Sequence, residues 1–272
     1  MKNHFYYSYC GNKRDEVEKL YTLLKLDDVN IIVEPFCGTC AFSYYLSTRH
    51  PKKYKYILND YNKLLTEILL IVKDEEKMNE FEEKINHHVV EINKLKNKDE
   101  RKQYYSSIKK LNTLDSYLLI HKYYTISPGL CKLITNKAGD LTDYKQFRFR
   151  DYPIYNFLKN EDVEIFNLDA QIIYDEYKNN INALMFIDPP YLFTNNSFYN
   201  NGRINQGNMY IYEYLSTNDI CNEKAKIYLI LENIWINKLL FKNNIIETNE
   251  KTYQPSKSKT SHITISNQEV VF

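Results

Sequence analysis

Net charge is nearly absent from this chain: 36 Lys and Arg against 35 Asp and Glu leave +1 over 272 residues, which excludes a uniformly polycationic protein. No stretch approaches 18 uncharged apolar residues, so no membrane-spanning helix is expected, and Met1 to Tyr9 holds no apolar run of the signal-peptide kind. A soluble intracellular protein is the expectation. Cys10, Cys37, Cys40, Cys131 and Cys221 are odd in number and scattered, which speaks against a disulfide framework and for reduced thiols. Cys37-Gly38-Thr39-Cys40 occupies the strand-to-helix position of a redox pair, a minor reading. No second close pair of Cys or His stands at a zinc spacing, so no metal is expected. His87-His88 lies in a polar helical stretch and reads as solvated. Internal repeats and low-complexity tracts are also missing.

What the chain does have is apolar and aromatic residues, 26 Tyr and 13 Phe among them, enough for a substantial core. Asn30-Ile31-Ile32-Val33 reads as a short buried strand, and Glu34 to Cys40 as a turn into a helix beginning near Ala41. Tyr54 to Leu58 reads as the next strand, ending at Asn59-Asp60-Tyr61-Asn62 before a helix over Leu64 to Val72. Ligands of doubly wound α/β sheets bind beyond the carboxyl ends of strands, so Glu34 and Asp60 are expected to face one crevice. Asp60 suits ribose hydroxyls. Strand patterns resume at Asp162 to Asn167, Ala183 to Ile187 and Lys226 to Leu231. A hairpin from Asn244-Ile245-Ile246 to Ile263-Thr264-Ile265 closes the series.

Between the second and third strands the period changes. Met78, Phe81, Ile85, His88, Ile92 and Leu95, spaced three and four apart, predict a long amphipathic helix. Tyr104, Ile108, Leu111, Leu118 and His121 predict a second, from about Lys102 to Tyr124. From Lys94 to Arg150 thirteen basic residues stand against five acids, so that segment is +8 and the remainder −7. Clustered Lys and Arg neutralise phosphates, which makes the helical insert a candidate nucleic-acid surface. The polar stretch from Tyr191 to Tyr210 is too long for a simple turn and reads as a mobile loop over a site.

Asp188-Pro189-Pro190-Tyr191 follows the apolar run Ala183 to Ile187, where a buried strand ends. Prolines cannot extend the sheet ladder, so the chain leaves the strand here with its carbonyls unpaired. A carboxylate beside a proline carbonyl can accept both hydrogens of an exocyclic amine, and a tyrosine ring offers a stacking face for a base. The plain alternative is a strand that ends in a Pro-Pro turn with an exposed acid.

Several elements together resemble one family, the Dam-type (D12, class alpha) DNA adenine-N6 methyltransferases. Ser8-Tyr9-Cys10-Gly11-Asn12-Lys13 is similar to the family's N-terminal cofactor motif, and Val33-Glu34-Pro35-Phe36-Cys37-Gly38 to its Glu-Pro-Phe-x-Gly loop. Asn59 to Asn62 resembles the ribose-binding element, and Asn167-Leu168-Asp169 the turn beside the cofactor adenine. Asp188 to Tyr191 resembles the catalytic motif, and Ser261 to Asn267 the last strand. Asn136 to Asp140 is faintly similar to a stretch of the recognition domain. The chain departs from the pattern at Asn12, at Thr39-Cys40 and at His262, a place often held by glutamate.

The resemblance implies a Rossmann-like S-adenosylmethionine-dependent methyltransferase sheet, formed by 1–68 and 161–272, with a mainly helical target-recognition domain inserted over 69–160. It implies methyl transfer from S-adenosylmethionine to a flipped-out adenine of double-stranded DNA. Asp188, Pro189, Pro190 and Tyr191 would be catalytic. Tyr9, Gly11, Asn12, Lys13, Glu34, Pro35, Phe36, Gly38, Asp60, Asp169 and Asp188 would bind the cofactor. A cognate restriction endonuclease is a further partner the resemblance allows. Two alternatives stay open, an accessory homologue with weakened catalysis and an RNA adenine methyltransferase.

Overall fold

The computed structural model divides into two compact units, Lys13–Lys63 with Glu161–Phe272, and Met1–Asn12 with Leu64–Asn160. It describes residues 4–7, 13, 16–124, 143–191, 223–253 and 258–268. The first unit is built on a seven-stranded sheet ordered β3-β2-β1-β4-β5-β7-β6. The strands are β1 (Ile31–Glu34), β2 (Lys55–Asn59), β3 (Asp162–Phe166), β4 (Ala183–Ile187), β5 (Lys226–Glu232), β6 (Ile245–Tyr253) and β7 (Ser258–Ser266). The first five pair in parallel, whereas β7 runs antiparallel between β5 and β6. This is the expected Rossmann-like sheet with its closing hairpin.

Every residue of β4 is buried, as a parallel strand covered on both faces requires. Val33, Ile57, Met185, Ile187, Leu229 and Ile263 join one core. On the opposite face Phe186 stacks on Phe42 at 4.0 Å, which seats α2 (Ala41–Arg49) against β4. The chain winds outward through β1, β2 and β3 and then returns to place β4 beside β1. That reversal opens a crevice at the carboxyl ends of the two strands. The short helix α1 (Val17–Tyr21) precedes β1 in this unit.

In the helical unit, α3 (Lys63–Lys73) buries Leu65, Ile68, Leu69 and Val72. The helix α4 (Glu75–Lys94) is capped by Asp74, which accepts from Lys77 N, and buries Met78, Phe81, Ile85, Val89 and Ile92. The expected second helix is two, α5 (Lys98–Leu111) and α6 (Leu114–Leu119), followed by a π-helical turn over Ile120–Tyr124. The break has a local cause. Asn112 takes the left-handed conformation at φ 50°, and Ser116 Oγ accepts from Thr113 N to start a new helix. Further along lies α7 (Pro153–Asn160), and His4 O accepts from Ile154 N, so the stretch 4–7 packs with this unit.

Two side-chain expectations change here. His88 is not merely solvated: it bridges Tyr104 OH at 2.7 Å and Asp115 Oδ2 at 2.9 Å, which ties three helices together. Part of the basic cluster is spent internally as well. Arg101 is 1% exposed, over the Tyr144 ring, and Lys122 sits among Tyr123, Phe147 and Tyr152. Lys96, Lys98, Lys109, Lys110, Lys145 and Arg148 remain exposed.

The first unit also carries α8 (Ala170–Tyr177) and α9 (Trp235–Leu240). The latter is anchored by buried Asn237, whose Nδ2 donates to Glu232 O, and by buried Phe241. Its outward face presents Trp235, the chain's single tryptophan, at 74% exposure.

Candidate functional site

The carboxyl ends of β1, β2 and β3 are bound together by one side chain. Asn59, fully buried at the end of β2, donates to Pro35 O and Leu168 O and accepts from Leu168 N at 2.8 Å. Asn167 Nδ2 adds a bond to Asp60 O. The loop after β1 and the turn after β3 are therefore fixed relative to Asp60. That carboxylate accepts from Gly38 N at 2.9 Å and from Asn62 N at 2.8 Å. Burial raises its pKa, and the two amides hold it back.

The loop 35–40 has its own support. Glu34 is 2% exposed, and its Oε1 accepts from Ser43 N at 2.9 Å, inside the first turn of α2. Burial pushes the Glu34 carboxyl up to about 8. Pro35 is clamped through its carbonyl, and Phe36 packs on the sheet core. Gly38 has φ 48°, and Cys40 follows it in the left-handed region at φ 55°. The turn keeps a glycine-like backbone with a cysteine in place.

Cys37 and Cys40 are buried free thiols. A hydrogen bond that the Cys37 thiol donates to Cys40, followed by burial, pushes the Cys37 thiol up, and burial raises Cys40. Thiols held protonated lack the lowered pKa of a reactive redox pair. Asp169 caps α8, with Oδ1 accepting from Gln171 N at 2.9 Å. That capping work accounts for an acid at this position by itself.

At the end of β4 the chain leaves the ladder at Asp188, as the two prolines dictate. Lys13 Nζ lies 2.6 Å from Asp188 Oδ2, and Tyr191 OH donates to Asp188 Oδ1 at 3.1 Å. Burial raises the Asp188 pKa, and the Lys13 charge and hydrogen bond lower it. Lys13 Nζ is also 5.1 Å from the centre of the Tyr191 ring. The carboxylate is thus oriented from both sides, beside the carbonyls of Pro189 and Pro190. Such an arrangement can accept hydrogens from an amine and favour positive charge on it.

Of the residues expected at a site, Lys13, Asp188 and Tyr191 meet directly. Gly38 and Asp60 meet at the ends of β1 and β2. Tyr9, Gly11 and Asn12 lie outside the described residues, as do Asn136 to Asp140 and the stretch from 192 to 210. Among the described residues no group of three or more His, Cys, Asp or Glu could hold a metal. A sequence signature described as D12 class N6 adenine-specific DNA methyltransferase matches residues 9–254.

The chain belongs to this family. Its chemistry is methyl transfer. Among solved structures, the chain is similar to a candidate methylase from Haemophilus influenzae, at 13% identity and TM-score 0.37, covering 93% of this chain and 88% of that one. It is also similar to an rRNA methyltransferase from Streptomyces viridochromogenes, at 8% identity and TM-score 0.35, covering 93% and 83%. No curated protein sequence matches.

Two residues of the site carried no signal of their role in the sequence. Asn59 was visible only as part of the Asp60 element, because its three bonds reach residues 24 and 109 positions away. Glu16 contacts His262 across 246 positions. No local pattern announces such a pair.

Proposed function

We propose that this D12-class protein transfers a methyl group from S-adenosylmethionine to the N6 amine of an adenine extruded from duplex DNA. The observation that carries the reading is the Asp188 carboxylate, gripped by Lys13 and Tyr191 beside two proline carbonyls at the point where the strand order reverses. Asp188 and the Pro189 carbonyl would accept the two amine hydrogens, which favours a tetrahedral nitrogen with its lone pair clear of the ring. Tyr191 would stack on the base, an interaction worth about 1–3 kcal/mol that offsets part of the expense of flipping.

The residues suit the cofactor. Asp60 offers a half-buried carboxylate to ribose hydroxyls, and Gly38, with no Cβ at φ 48°, leaves room for a close approach. S-adenosylmethionine supplies an electrophilic methyl when bound. The amine is then the only nucleophile required, and no covalent enzyme intermediate enters. DNA as substrate is supported by the family and by the exposed lysines of the helical unit.

Incubation of the protein with duplex DNA and tritiated S-adenosylmethionine, followed by nucleoside analysis, tests this reading. Label in N6-methyladenine is expected from the wild type and none from Asp188→Ala. Tyr191→Phe should retain most of the activity and Tyr191→Ala lose most of it. Full transfer by Asp188→Ala would overturn the assignment, and label entering RNA but not DNA would redirect the substrate.

A further inference from the structure

His262 lies on β7, 5% exposed, in register with Glu232 of β5. Its Nδ1 meets Glu16 Oε2 at 3.2 Å, and its ring stands 4.9 Å from that of Tyr191 at 52°. Glu16 N donates to Lys13 O at 2.8 Å, so the same turn that presents Lys13 to Asp188 also presents Glu16 to His262. Tyr191 OH completes the circuit on Asp188. Lys13, Glu16, His262, Tyr191 and Asp188 therefore form a closed ring of contacts drawn from three distant parts of the chain. Within it His262 joins Glu16 to the tyrosine ring, and Lys13 Nζ, from the same turn, lies 5.1 Å from the centre of that ring.

We infer that His262, held by Glu16, is a positioning residue that sets the plane of the Tyr191 ring at the amine site. Its charge acts on Asp188 as a minor influence that lowers that carboxyl's pKa, while its ring contact is with Tyr191. The positioning effect passes through that ring contact. The inference rests on the reading of Asp188 to Tyr191 given above. Aromatic pairs favour particular tilts, so a ring fixed at its far side by an acid can hold a neighbouring ring in one orientation. Without His262, Tyr191 keeps its hydroxyl bond to Asp188 and the Lys13 ammonium near its ring but loses a contact that fixes its tilt, which misplaces the stacking face.

The test is a double-mutant cycle on the full chain. His262→Ala is expected to raise KM for DNA about fivefold, the scale of one lost aromatic contact, while S-adenosylmethionine affinity stays within about twofold. In a Tyr191→Ala background the same substitution should add nothing. Costs that add in the two backgrounds, or a matching loss of cofactor affinity, overturn the inference. Should His262→Ala not fold, Glu16→Gln carries the test: a smaller rise in KM for DNA is expected, and an unchanged KM counts against it.

A readout independent of turnover separates this inference from the proposed function. In protein labelled at tyrosine Cζ, the Tyr191 resonance, identified by its loss in Tyr191→Phe, should shift in the His262 or Glu16 variant. A resonance that does not move overturns the inference even if DNA is methylated. One that moves in a protein that methylates no DNA upholds the contact and sinks only the proposed substrate.

Discussion

Glu34 shows how a single carboxyl can set both a loop and a pH response. It is 2% exposed and bonded to Ser43 N, and its folded pKa, about 8, lies above the ordinary 4.5. A raised carboxyl stabilises the fold below the unfolded value and loses that contribution as pH climbs through the folded one. Wild-type protein should therefore lose stability between about pH 4.5 and about pH 8. Glu34→Gln keeps an acceptor for Ser43 N and has no proton to lose, so its urea midpoint should fall less over that window. Equal slopes in the two proteins would remove Glu34 as the cause. Lys13 acts in the opposite sense on Asp188, by restraining a rise that burial imposes. Lys13→Met removes the largest influence that opposes burial, so Asp188 should hold its proton to higher pH. The acidic limb of the kcat/KM profile is expected to move upward in pH, and a limb that stays in place would exclude Lys13 from the charge balance.

At the scale of elements, the carboxyl edge of the sheet is assembled by side chains that bridge strands. Asn59→Ala strips partners from the buried Pro35 O and from the part-buried Leu168 O and Leu168 N, a loss of about 3 kcal/mol. A lower melting temperature together with weaker S-adenosylmethionine binding is expected. Cofactor affinity that survives intact would mean the two turns hold their shape without it. The strands themselves were legible in the sequence because β1, β2, β4 and β5 are unbroken apolar runs ending in polar residues, the mark of strands buried on both faces. The break between α5 and α6 was not, because the apolar spacing continues across it and only the left-handed backbone of Asn112 interrupts the helix. Likewise Asp188 and Tyr191 were readable from Pro-Pro chemistry within four residues, while Glu16 and His262 meet only once β7 has paired with β5.

For the molecule as a whole, the near-neutral total charge conceals an uneven distribution, and burial divides it further. Lys109 and Lys110 are exposed on α5, whereas Arg101 on the same helix is 1% exposed over Tyr144. Replacing Lys109 and Lys110 by alanine should weaken DNA binding for all sequences and lower the slope of log affinity against log salt by about 1.8. Arg101→Ala should leave that slope unchanged and instead reduce stability, by about 3 kcal/mol, through loss of its packing. Measuring both variants by anisotropy across a salt series distinguishes cations that meet phosphate from those that meet protein. Trp235 has a different kind of consequence. As the chain's sole indole, water-exposed and just past the carboxyl end of β5, it confines red-edge ultraviolet emission to the margin where Asp188 lies. The protein thus carries a built-in optical reporter, and the arrival of a ligand at that margin can be timed in unlabelled material.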